Sequence, residues 1–394
     1  MKLKTKRGLS LSVLAAVGLM ASAAFAADTT GLTDTTIKVG VMGPFSGNAS
    51  SYSKAQIGEM AYYKMINDQG GVHGRKFELI QEDTACQPAK GIAAAKKLIS
   101  QEQVFMMHGN SCSGVAMAVR DIVVDAGVPW IIAHAVNPNI SMPPTPNVFH
   151  GVPAGPAYGY SMGKFVMSKP GTKNVIMVEH SNDWAKSYAD PTRDYMKEKG
   201  IEPSMVMTME RGQTDATAQV LKIKQAKPDF IVASLYEAET VIFLKDMKKY
   251  GVTDIPVMGA AGTDLENTLA RIGDIETVKN YYVPHAFIDT VDGPGMKKWN
   301  DMILKYYPDE TITGFSAISI GSAVAVVEAL KNAGRDLTRE KFIAEMDKIK
   351  NFDTGVFAAP ITWSADDRHG VKESASAGFV NGKPTVMKGW NQPM

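Results

Sequence analysis

Two serines flanking a cysteine, Ser111-Cys112-Ser113, are the residues whose types and spacing most directly suggest chemistry. They lie in Gly109-Asn-Ser-Cys-Ser-Gly114, after the apolar run 104–107 and before an Ala/Val/Met pattern of helical spacing. That order reads as strand, loop and helix amino terminus. Such a junction aims unpaired backbone N–H groups and the positive end of a helix dipole at one point, where Ser111 or Ser113 can add a hydroxyl. The chemistry on offer is the seating of a carboxylate; the competing use of either serine is to cap its own helix.

Catalysis is poorly served elsewhere. The chain has no G-x-S-x-G elbow, no H-E-x-x-H, no P-loop and no metal spacing of His, Cys and Asp. His108, His150 and His180 fall at strand ends without a sequence-local partner. We therefore assign no catalytic residue and no metal site, and expect no cofactor and no enzyme. The two cysteines, Cys86 and Cys112, lack a C-x-x-C spacing, and in an exported chain they should form a disulfide.

Export is read from the first residues. Lys2, Lys4, Lys6 and Arg7 precede an apolar stretch 9–23 and the A-x-A site Ala24-Phe25-Ala26, the pattern of a signal peptide over 1–26 cleaved near Ala26 and Ala27. Removing it takes the 42 Lys and Arg to 38 against 41 Asp and Glu, a formal charge of −3. Neither nucleic acid nor an anionic membrane surface suits that balance. No later stretch reads as long and apolar enough to span a bilayer, and no cysteine at the cleavage site suggests a lipid anchor.

The elements that would position the turn alternate as an open α/β fold requires. Strands are expected at 37–42, 76–83, 104–107 and 129–133, with helices at 54–69 and 88–99. The alternation restarts with strand 174–178, helix 184–199, strand 205–209, helix 216–226, strand 229–234, helix 238–250 and strand 256–259. Long helices 295–306 and 315–332 remain to complete the first sheet, and 355–390 reads as a terminal hairpin. This predicts two doubly wound parallel-sheet lobes joined by three crossings, at 152–155, at 281–285 and from 355 onward. Lobe 1 takes 27–153 plus 284–354, and lobe 2 takes 154–283 plus 355–394.

Four fragments then carry a resemblance over essentially the whole mature chain: Val39-Gly-Val-Met-Gly-Pro-Phe-Ser-Gly47, Asn67-Asp-Gln-Gly-Gly-Val-His-Gly-Arg-Lys76, Glu82-Asp-Thr-Ala-Cys-Gln-Pro88 and Gly109-Asn-Ser-Cys-Ser-Gly114. They resemble the leucine/isoleucine/valine-binding proteins, periplasmic receptors of ABC importers, whose type I fold closes on a ligand by hinge motion. The resemblance implies a disulfide at Cys86 and Cys112, a permease as partner and a monomer. It places Ser113 at the carboxylate-binding serine, Ala135 and Val136 on the loop that also holds the carboxylate, and Trp184, Tyr236 and Tyr52 at aromatic positions around the ligand. His134 heads that loop and could donate to a carboxylate or phenol oxygen.

The resemblance is incomplete where an amino acid's ammonium would sit. Gly155 and Ala261 stand where the amino-acid receptors carry acids, and an ammonium buried without them costs several kcal/mol. Glu237 or Glu239 could substitute. The aromatic residues, with Tyr158 and Tyr160 also near, favour a small aromatic carboxylate. An amino acid remains the alternative; a ligand sensor and a secreted hydrolase are more remote ones.

Overall fold

The computed structural model describes residues 28–261, 265–372 and 374–387, with Met1. The expected signal peptide from residue 2 to 26 and the end of the expected hairpin, 388–390, lie outside the described residues.

The first sheet grows from the alternation of short apolar runs and amphipathic helices. Its elements are β1 (Thr36–Gly43), α1 (Lys54–Asp68), β2 (Lys76–Asp83), α2 (Pro88–Lys96), β3 (Met106–Gly109), α3 (Ser113–Asp125), β4 (Trp130–Ile132) and β5 (Val148–His150). Strand order is β2-β1-β3-β4-β5, parallel throughout, with Val41 between Gln81 and His108. Helices cover both faces, so the central strands are buried on both sides and read as continuous apolar runs. β3 starts two residues later than the apolar run suggests, because the Val104 N–H is spent on Leu98 O before the ladder begins.

The second sheet receives α4 (Gly155–Ser168), β6 (Val175–Glu179), α5 (Asp183–Glu198), β7 (Met205–Thr208), α6 (Thr217–Ala226), β8 (Phe230–Ser234), α7 (Glu237–Lys249), β9 (Val257–Gly259), α8 (Leu265–Ile272), α9 (Ile275–Val278) and β10 (Tyr281–His285). α4 and α5 pack unusually closely. Gly155, Gly159 and Gly163 face α5 at helical spacing, and a Cβ at each would lie within 3 Å of Ser187, Tyr188 or Tyr195.

The chain then returns. α10 (Lys297–Tyr306), α11 (Gly314–Ala333) and α12 (Arg339–Met346) join the helical layer of the first lobe, α10 and α11 within about two residues of the expected long helices. α11 lies against α1: a Cβ on Gly58 would sit 2.2 Å from Ser316 O, and Ser319 Oγ donates to Ala55 O. Arg339 donates to the carbonyls of Phe105 and Val104 at 2.9 and 2.6 Å and pairs with Asp28 at 2.6 Å. By length and composition α11 could cross a bilayer, which corrects the expectation that no later stretch could; most of it is buried here as a core helix.

A last crossing leads to β11 (Ala375–Val380) and β12 (Lys383–Met387). The second sheet is ordered β12-β11-β10-β9-β8-β6-β7; it is parallel from β10 to β7, while β11 pairs antiparallel with β10 and with β12, β11 and β12 forming the expected terminal hairpin. β5, α8, α9 and α12 escaped the sequence reading. β5 is three residues long behind a Pro-rich segment, and α12 is a short helix whose cap, Thr338 accepting from the Lys341 N–H, only the fold makes evident.

Candidate functional site

The turn after β3 is built by two left-handed residues. Gly109 has φ +117°, and a Cβ there would meet Glu59 Oε1 and Met42 O at 2.9 Å. Asn110 follows at φ +76° and its Oδ1 accepts the Cys112 N–H at 3.1 Å. Cys112 is extended and caps α3, whose first intrahelical bond is Ala116 N–H to Cys112 O. The N–H groups of Ser113, Gly114 and Val115 therefore open onto the space ahead of the helix. A Cβ on Gly114 would meet nothing within 4 Å. The Cys86–Cys112 disulfide, Cα–Cα 5.6 Å, ties this turn to the loop after β2; a 26-residue separation corresponds to about 3–4 kcal/mol of stabilisation by loop closure.

The two serines do different jobs. Ser111 Oγ accepts from Gln56 Nε2 at 3.1 Å and donates to Tyr52 O at 3.1 Å, so it fastens the rim loop that carries Tyr52. Ser113 Oγ accepts the N–H groups of Val136 and Asn137, both at 3.3 Å. With both lone pairs engaged, its O–H remains to be donated. A carboxylate ahead of α3 is the natural acceptor.

Ala135 and Val136 do not reach this space. The Ala135 N–H is donated to Asn110 O at 3.2 Å and the Val136 N–H to Ser113, so the expected direct hold by that loop becomes indirect, through Ser113. His134 does line the space, but its ring N–H goes to the Ser111 carbonyl, and burial depresses its pKa to about 4. It is a neutral ring there, with its second nitrogen an acceptor rather than the expected donor to a carboxylate.

The second lobe supplies the opposite wall. Trp184, in the first turn of α5, stacks on Tyr236 with centroids 4.2 Å apart and planes at 23°. Tyr236 meets Tyr52 of the first lobe edge-on at 6.0 Å, and Tyr52 meets Phe315 at 5.0 Å. His180 fixes Tyr236 by accepting its N–H at 2.9 Å while donating to Met209 O. These walls enclose about 250 Å³, lined by Tyr52, His134, Asn182, Asp183, Trp184, Arg211, Tyr236, Ala261 and residues 111–115. Toward the crossings, past His134 and Ala261, a compartment of about 40 Å³ is walled by Tyr158, Val283, Phe287, Phe315 and Ile318. Outside Tyr52 and Tyr236 lies a wider polar chamber of about 550 Å³ with Lys54, Glu237, Glu239 and Arg271.

Three helix amino termini face these spaces, and their sequences decide which one suits an anion. α5 is capped by Asn182 and carries Asp183; α7 carries Glu237 and Glu239; α3 has no acid in its first turn. The first two dipoles are already answered, and the third is open.

An ammonium finds little. A Cβ at Gly155 would lie 2.4 Å from Ser187 Oγ, so that position faces α5 and not the cavity. Ala261 lines the cavity with a methyl group. Glu237 accepts from Asn267 and pairs with Arg271 at 3.4 Å, and Glu239 accepts the Gly212 N–H at 2.8 Å. Both stand on the outer chamber, which removes them as substitutes in the inner one. Tyr160 packs edge-on against Tyr195, away from the cavity, and Tyr158 reaches only the small compartment.

The remaining histidines hold structure together. His150 bridges Ser141 and Ala135 O. His108 lies between Tyr63 Oη at 2.7 Å and Ser322 Oγ at 2.8 Å, with a pKa lowered by burial to about 3. Glu59, wholly buried and 3.4 Å from His108, is raised well above the usual carboxylate range by burial. The folded state thus keeps a proton on Glu59 that the unfolded chain releases above about pH 4.3, so the cost of burying Glu59 grows as pH rises. Glu59→Gln is expected to match wild-type stability near pH 4 and exceed it increasingly toward neutrality in urea melts; equal stability at both pH values would refute this. Among the described residues no group of three His, Cys, Asp or Glu could hold a metal ion.

Arg211 and the Asn182-Asp183 pair are the lining residues that sequence reasoning missed. Their only signal was a place in loops at the carboxyl ends of parallel strands, where ligands of such sheets sit.

Comparison with known proteins agrees with this architecture. A Leu, Ile, Val, Thr and Ala-binding protein of Pseudomonas aeruginosa is 26% identical over 370 residues, 91% of this chain and 97% of that one. The branched-chain amino acid transporter substrate-binding protein LivJ of Streptococcus pneumoniae, solved with isoleucine, superposes with a TM-score of 0.79 at 25% identity, covering 90% of this chain and 99% of that one. A Rhodopseudomonas palustris ABC transporter solute-binding protein solved with benzoate also gives 0.79, at 20% identity over 91% and 97%. The sequence model of the family described as periplasmic binding protein matches residues 36–383, and the chain belongs to that family.

Proposed function

We propose that this protein delivers a small aromatic carboxylate to an ABC permease, binding it without chemistry between its lobes. The observation that carries the reading is the acid-free amino terminus of α3, with Ser113 and the open side of Gly114, facing a cavity walled by Trp184, Tyr236 and Tyr52. The carboxylate takes the N–H groups of α3 and the Ser113 hydroxyl, and the ring lies against the Trp184–Tyr236 stack. A cavity of about 150 Å³ accepts benzene, so about 250 Å³ suits a ring with its carboxylate. The compartment of about 40 Å³ beyond His134 adds room for one small substituent. Proteins of this fold include both isoleucine and benzoate binders, so the choice rests on the walls.

The lobe limits, 27–153 plus 284–354 and 154–283 plus 355–394, the export of the chain by its signal peptide and a monomeric state belong to the same reading. One observation favours a second reading: Asp183 is the one carboxylate among the described lining residues of the inner cavity, and could pair with an amino acid's ammonium.

A thermal-shift panel of the mature protein against benzoate- and cinnamate-type acids, aliphatic acids and amino acids separates the two. A ligand at a thousand times its Kd adds about 4 kcal/mol of stability. Aromatic acids are expected to shift the melting temperature and leucine not to. A shift by leucine, abolished in Asp183→Asn, would replace the first reading with the second.

A further inference from the structure

We propose that Arg211 is a specificity-determining residue, a second-lobe cation that engages the ligand's negative charge and makes its capture depend on that charge. The inference rests on the carboxylate reading above and names the group that discriminates a carboxylate from a neutral molecule of the same shape.

Arg211 follows β7 and lines both the inner cavity and the outer chamber. Its guanidinium stands 5.5 Å from the Tyr236 ring centroid, on the ring that also stacks with Trp184. The loop beneath it is pinned on both sides: Met209 O accepts from His180, and the Gly212 N–H is donated to Glu239 at 2.8 Å. Glu239 thereby spends its charge on the backbone next to Arg211. None of the described carboxylates forms an ion pair with Arg211, whereas Arg271 has Glu237 and Lys54 has Glu310. Arg211 is also exposed, so holding it ready costs little desolvation until a ligand arrives.

The first lobe's seat is backbone and hydroxyl, which a neutral amide can partly satisfy. A guanidinium cannot be satisfied that way: it offers donors and a full charge, and prefers a carboxylate in bidentate contact. Arg211 therefore turns a polar seat into a seat for anions.

The test compares benzoate with benzamide by calorimetry on wild type, Arg211→Gln and, as a control cation of the outer chamber, Lys54→Gln, with melting curves to confirm folding. For wild type, benzoate affinity should fall between about 0.01 M and 1 M ionic strength, where the Debye length shrinks from about 30 to 3 Å. Arg211→Gln should weaken benzoate at least tenfold, flatten that salt dependence and leave benzamide unchanged, while Lys54→Gln changes neither. If Arg211→Gln binds benzoate as wild type does, or if Lys54→Gln matches its loss, the inference is overturned. Failure of wild type to bind any aromatic acid sinks the aromatic reading instead; the same three proteins measured with whichever carboxylate of the panel does bind then decide Arg211, and binding of none overturns both.

Discussion

Gly155→Asp is expected to cripple the second lobe rather than to create an amino-acid receptor. An aspartate there is what the resemblance to amino-acid receptors would ask for, yet the residue's Cβ direction runs into Ser187, with 2.4 Å to its Oγ and 2.6 Å to its Cβ. α4 would have to move off α5, a repacking that typically costs about 1–3 kcal/mol. The new carboxylate would also be buried at a helix contact without a cation, which adds several kcal/mol. A loss of about 4 kcal/mol or more, or failure to fold, should appear in chemical denaturation. Ala261→Glu is the contrasting change, because Ala261 lines the cavity and its new side chain has somewhere to go. A Gly155→Asp protein that melts like wild type and binds leucine would show that the α4–α5 contact is softer than its geometry indicates.

Trp184→Ala should have the largest effect on binding itself. Trp184 is only 8% exposed, lies 4.2 Å from Tyr236 and packs edge-on against Tyr188 at 5.1 Å, so its ring is held in place before any ligand arrives. A preorganised aromatic wall of this kind has the character of a binding hot spot, and its loss costs about 2 kcal/mol or more, roughly thirtyfold in Kd. Trp184→Phe keeps a ring and should lose much less. Titration calorimetry with the best ligand of the panel checks both, and an alanine variant within threefold of wild type would remove the aromatic wall from the account.

The parts legible in the sequence were those whose signals are local. β8 is a short, wholly buried apolar run bounded by turns, and its period and length identify it without any knowledge of its neighbours. The turn ahead of α3 was legible because strand, turn and helix start follow one another within a dozen residues. What stayed hidden depends on distant contacts. Glu237 and Glu239 look available in the sequence, and only packing reveals Asn267, Arg271 and the Gly212 N–H as their partners. Ala135 and Val136 sit in the right loop, but Ser113 and Asn110 take their N–H groups. Arg211 is an ordinary loop arginine until β7, β6 and α7 bring it over Tyr236.

The first lobe is discontinuous in the chain, and this bears on when it can form. α1 packs against α11 more than 240 residues later, and Arg339 of α12 reaches back to Asp28 and to the carbonyls leading into β3. A chain made from its amino end can pair β1 with β2 and β3 early, but leaves the α11-facing side of α1 and the Val104 and Phe105 carbonyls uncovered until α11 and α12 have been made. Contacts so far apart in sequence are slow to close. The stretch from α4 to β10 is contiguous and can organise itself earlier. The covering helices of the first lobe thus arrive after most of the second lobe, and the contacts that finish the first lobe are among the last the chain supplies.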